Sequence, residues 1–107
     1  MQNNPAVNPY CRRAVLRRMD LTGANLREVN LRKADLFGST LVGADLRRAD
    51  LFGASLVGVD LSGRADLSSS DLRDANLQDV IGLTNVQIYG ASTDQNTRCP
   101  DHLKTRQ

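Results

Sequence analysis

The sequence predicts an all-β solenoid, a chain that turns once every five residues and stacks its coils around a shared core. Three observations predict it. Leucine recurs at every fifth position, at Leu16, Leu21, Leu26, Leu31, Leu36, Leu41, Leu46, Leu51, Leu56 and Leu61, and after one extra residue at Leu67, Leu72 and Leu77. Two residues before each leucine sits a smaller side chain: Ala14, Met19, Ala24, Val29, Ala34, Ser39, Ala44, Ala49, Ala54, Val59, Ala65, Ser70 and Ala75. Asp or Asn stands directly before the leucine in ten of the thirteen units. The unit is small–(Asp/Asn)–Leu–x–x.

A period of five fits neither common element. On an α-helix, five residues advance about 500°, so successive leucines would spread around the whole surface. On a flat strand an odd period sends successive leucines to opposite faces. The pattern is consistent only if the chain turns once per unit, with the small residue and its leucine both pointing inward. Six of the eight glycines, among them Gly38, Gly43 and Gly63, close a unit, where a corner is needed. One coil buries nothing alone, whereas stacked coils share a continuous core.

Units such as Ala24-Asn25-Leu26-Arg27-Glu28, Ala34-Asp35-Leu36-Phe37-Gly38 and Ala44-Asp45-Leu46-Arg47-Arg48 resemble the pentapeptide repeat proteins. The resemblance covers residues 14–79. It implies a right-handed quadrilateral β-helix with four units per coil. The square section and the handedness come from the resemblance, not from the period.

Residues 1–13 read as a flexible N-terminal arm, polar and containing Pro5 and Pro9. Residues 14–79 read as the β-helix. Arg64 is a one-residue insertion between Gly63 and Ala65, expected to bulge outward and to be removable at little cost in stability. Residues 80–100 read as a C-terminal cap, and 101–107 as a polar tail. Within the cap, the segment after Thr84 reads either as a short cap helix with Ile88 and Ala91 packed on the last coil, or as degenerate units centred on Leu83 and Ile88. Thr84 is an acceptable helix N-cap, and a helix would cover an otherwise open coil edge. The resemblance favours the cap helix, because Gly82-Leu83-Thr84 and the later Asp94-to-Pro100 segment look like the family's usual ending.

The arm lacks the apolar stretch of a secretion signal, and no apolar run reaches membrane-spanning length. A cytoplasmic location is therefore expected. Residues 19–97 carry seven basic and eleven acidic groups, a mildly acidic body between basic flanks. Cys11 and Cys99 bracket the repeats. Coils about 4.8 Å apart would hold them beyond disulfide reach.

Four units per coil would align the first outward positions in four columns. One carries Arg17, Phe37 and Val57; its neighbour carries Thr22, Val42 and Ser62. Phe37, Val42 and Val57, beside glycine corners, form a candidate apolar patch for a protein partner or a second copy of the chain. The alternative is that these side chains only cover neighbouring backbone. The other two columns mix Arg27, Arg32, Arg47 and Arg73 with carboxylates, and Phe52 lies between Arg32 and Arg73, where cation–π contacts are open to it.

The Asp/Asn column invites a metal or catalytic reading. Its regularity points instead to short side chains that bond nearby backbone and fix each turn. No nucleophile, acid–base or phosphate-cradling motif is present in the sequence. No catalytic, cofactor or metal residues are expected, and the reading is a non-enzymatic interaction scaffold. The resemblance offers one alternative, a DNA-mimicking inhibitor of a type II topoisomerase (DNA gyrase). Such relatives are strongly acidic, and this body is not. Arg12, Arg13, Arg17 and Arg18 make a basic end, but with no stacking aromatics there nucleic acid is not the expected partner.

Overall fold

The computed structural model of the chain describes residues 13–84, 86–87 and 90–100. Most of the arm, the tail, Cys11, Ile88 and His102 lie outside the described residues.

Residues twenty apart pair in parallel. Val15 bridges Asp35, which bridges Ser55; Asp20 bridges Thr40, Asn25 bridges Asp45 and Asn30 bridges Asp50. Four units therefore make one coil. Leu16 N–H donates to Asp35 O at 2.7 Å, and Asp35 N–H donates to Ala14 O at 2.8 Å, so each bridge is held from both sides. The solenoid is a β-helix without extended strands: among the described residues each side contributes an isolated bridge. Only three residues of each unit are extended before the chain must turn.

The turn runs from the leucine carbonyl to the next small residue, as in Ala24 N–H to Leu21 O at 3.0 Å. The last residue of every unit has positive φ, as position three of a type II turn requires. Glycine is not obligatory there. Arg18, Glu28, Lys33, Arg48, Ser69, Asp74 and Asp79 accept φ values of 57–62°. Gly82 is different, because a Cβ there would lie 2.6 Å from Ser62 Cα.

The thirteen repeat leucines are all buried, eleven of them essentially completely, and they form one core with the small residues. Burying each leucine contributes about 1.5–3 kcal/mol against exposure. Ala14, Met19 and Ala24, in the first coil, are only partly covered.

The register survives Arg64. Asp45 bridges Asp66, twenty-one residues on, and Leu67 stays buried while Arg64 is exposed. Beyond residue 79 bridging continues: Asp60 pairs with Ile81, Asp71 with Ser92 and Asn76 with Arg98. Leu83 is buried, and Ala91 and Cys99 pack against the core from above. Val86 and Gln87 are helical. Thr84 Oγ1 accepts from Gln87 N–H at 3.4 Å, and Gln87 Oε1 accepts from Thr84 N–H at 2.7 Å, the reciprocal pattern of a capping box.

Candidate interaction faces

The Asp/Asn column serves the backbone. In each case the side-chain oxygen accepts the N–H two residues on, from Asp20 to Thr22 at 3.1 Å through Asp45 to Arg47 at 3.1 Å to Asn76 to Gln78 at 3.0 Å. The sequence reading of this column as turn-fixing is thus visible in the geometry. The same bonds favour the ionised carboxylates. Hydroxyl donation from Ser62 and Ser68 holds Asp60 and Asp66 below the usual carboxylate range. The Arg47 guanidinium holds Asp45 down to about 2, and Arg73 lowers Asp71 in the same way. Among the described residues, no cluster of three or more His, Cys, Asp or Glu could hold a metal ion.

The outward positions stack as columns. Gly38 N–H bonds Val57 O, Gly23 N–H bonds Val42 O and Lys33 N–H bonds Phe52 O, at 2.8–2.9 Å. Phe37, Val42 and Val57 are each half-buried. Two cations stand close to this patch. The Arg17 guanidinium lies 4.7 Å from the Phe37 ring centre and that of Arg18 lies 5.7 Å away. Arg17 also pairs with Asp35 at 3.3 Å. The column order already placed Arg17 beneath Phe37; the missing step was that a long side chain folds over the ring next to it. Val42 packs over Gly63, where a Cβ would come within 2.8 Å of Val42 Cγ1. Val42 therefore spends part of its surface on neighbouring backbone.

Phe52 is ringed by three cations. Arg32, Lys33 and Arg73 lie 4.6, 5.4 and 5.5 Å from its centre. Around it and on the next side, arginines pair with carboxylates: Arg32 with Asp50 at 3.3 Å, Arg47 with Asp45 at 2.7 Å, Arg48 with Glu28 at 3.4 Å. These exposed pairs contribute little stability each and leave the two sides electrically balanced.

A concavity lies between the Arg64 insertion and the start of the cap segment. A cleft of about 340 Å³ is lined by Arg64, Asp66, Ser68, Thr84, Val86 and Gln87, among others. Gln87 Nε2 reaches in to donate to Ala65 O at 2.7 Å. Among the described residues no helix is long and apolar enough to cross a membrane.

The chain is similar to known proteins in the same terms. The family model described as pentapeptide repeats (8 copies) matches residues 10–36 and 30–63. Among solved structures, a pentapeptide repeat protein from Nostoc Pcc 7120, alr5209, is 32% identical with a TM-score of 0.56, over 83% of this chain and 72% of that one. A second, Rfr23 from the cyanobacterium Cyanothece 51142, is 32% identical with a TM-score of 0.41, over 82% of this chain and 62% of that one. No curated protein matches the chain.

Proposed function

Because this chain belongs to the pentapeptide repeat family, we propose that it is a non-enzymatic scaffold that binds a protein partner through side chains on the β-helix faces. One observation carries the reading. Outward side chains are held in straight columns by backbone bonds between coils, so apolar and charged groups stand at fixed spacing on a preorganised surface. The Phe37–Val57 column is the apolar part of that surface. The Asp/Asn groups that chemistry would need are engaged in turn bonds. The proposal includes a right-handed coil, a short cap helix after Thr84 and a cytoplasmic location.

The gyrase-inhibitor alternative draws less support. A DNA mimic needs a run of uncompensated carboxylates, whereas Asp45, Asp50 and Asp71 each pair with an arginine.

The test is capture of a partner from native lysate by the wild type and by a Phe37→Lys/Val57→Lys variant. Loss of capture with an unchanged circular dichroism spectrum is expected. Equal capture by the folded variant removes the patch from the site.

A further inference from the structure

We propose that the side carrying Val15, Asp35, Ser55 and Asn76 is a self-complementary surface, and that its occupant is a second copy of this chain packed antiparallel, side by side. The inference rests on the scaffold reading and names the partner.

Three of the columns that border this side change character along the stack. The first runs Arg13, Lys33, Gly53, Asp74; Lys33 Nζ and Asp74 Oδ2 lie 3.2 and 3.7 Å from where a Gly53 Cβ would be. The second runs Arg17, Phe37, Val57, Gln78, linked by the Gly38–Val57 and Gly58–Gln78 backbone bonds. The third runs Arg18, Gly38, Gly58, Asp79, with Arg18 Cγ 3.5 Å from the Gly38 Cβ position and Gly38 Cα 3.9 Å from that of Gly58. The bottom carries Arg13, Arg17 and Arg18, the middle carries the apolar Phe37 and Val57 with Lys33 and the Asp35 carboxylate beside them, and the fourth rung carries Asp74 and Asp79, with Arg98 bridged above Asn76. Val15 stands at the bottom where most units carry Asp or Asn, and it is 73% exposed.

Symmetry turns this gradient into a prediction of orientation. A two-fold axis lying in the interface, perpendicular to the stack, sets each column opposite itself with its direction reversed. Arg13 then meets the partner's Asp74, and Arg18 meets the partner's Asp79. Phe37 meets the partner's Val57, Lys33 meets the partner's Gly53, Asp35 meets the partner's Ser55 and Gly38 meets the partner's Gly58, so each larger side chain of the middle faces a smaller one. A parallel pairing about the stack axis sets basic ends against basic ends, which charge repulsion disfavours. Four rungs at about 4.8 Å make a face smaller than those of stable interfaces, in the range of weak encounters. The dimer is therefore weak and salt-sensitive.

Sedimentation velocity on the full chain, over a concentration series at low and high salt, tests the proposal with two variants. One is Arg13→Glu/Arg18→Glu, the other Asp74→Arg/Asp79→Arg. Glu28 and Arg48 occupy the same corner position at φ 62° and 61°, so both residue types are accepted there. The expected result is a wild-type dimer weakened by salt, self-affinity reduced roughly tenfold or more in each variant, and a one-to-one dimer restored on mixing them. Mixing also reports that both variants are folded. A wild type that stays monomeric at low salt overturns the proposal. So do variants that self-associate as well as wild type, or that fail to recombine. A monomer that still captures a partner through Phe37 and Val57 overturns the dimer and leaves the scaffold reading standing. A recombining dimer whose Phe37→Lys/Val57→Lys form keeps lysate capture supports the dimer and sinks the patch instead.

Discussion

The side-chain amide of Gln87 donates to the carbonyl of Ala65 at 2.7 Å, tying the C-terminal segment to the one irregular corner of the coil. From Leu21 to Leu77 the other repeat leucine carbonyls accept from the small residue three positions on, but four positions separate Leu61 from Ala65. The Leu61 carbonyl receives a longer contact, 3.4 Å, from the same amide. The insertion therefore exposes carbonyls that the cap occupies.

Gln87→Ala removes these bonds and half of the capping box, and should cost about 1–3 kcal/mol in denaturant unfolding. In a chain lacking Arg64 the corner can close on itself, and the same substitution should cost far less. The sequence alone suggests that deleting Arg64 is nearly neutral; the geometry predicts coupling, readable in a double-mutant cycle as about 0.5–3 kcal/mol. Equal costs in both backgrounds would show that cap and insertion are independent.

Ser39 and Ser70 occupy the same small-residue position and predict opposite effects. Ser39 Oγ accepts from Met19 N–H at 2.9 Å and donates to Leu16 O at 2.6 Å, standing inside the first turn. Ser70 Oγ is buried without a hydrogen-bond partner, above a turn closed by Ala49 N–H to Leu46 O at 3.0 Å. Ser39→Ala should destabilise by about 1 kcal/mol, while Ser70→Ala should be neutral or stabilising by about the same amount. Thermal melts of the two variants decide it, and a clear loss on Ser70→Ala contradicts the assignment.

Leu46 is fully buried in the second coil. Leu46→Ala should cost about 2–5 kcal/mol through the cavity it leaves. Leu46→Asp should unfold the stack, because an unpaired charge would lie in the core. A cooperative, wild-type melt for the Asp variant would mean the leucines do not face inward.

Acid should loosen the coil between about pH 4 and pH 2. A carboxylate whose folded pKa is depressed contributes stability that is present above its unfolded pKa, about 3.9, and lost as pH falls through the folded value. Asp45, held to about 2 by Arg47, and Asp20, Asp60, Asp66, Asp71 and Asp94, all lowered, act in this direction. Asp45→Asn keeps a turn acceptor, as Asn25 and Asn30 do, and should flatten the acid limb of a stability–pH curve. An acid limb unchanged from wild type argues that Asp45 titrates normally.

The sequence by itself determined the inward leucines, the small residue beside each, the turn after every fifth residue and the use of Asp and Asn to hold that turn. All of these act within one unit, so a five-residue spacing records them. The tertiary structure alone decided the rest. Stacking set Arg17 and Arg18 over Phe37, distinguished Ser39 from Ser70 and delivered Gln87 to Ala65. Each of these joins residues about twenty apart or more, where what matters is the turn or ring that lies directly above or below. At the coil ends the repeat no longer supplies that neighbour, and side chains such as Thr97, whose hydroxyl donates to Leu72 O at 2.8 Å, take the place of backbone.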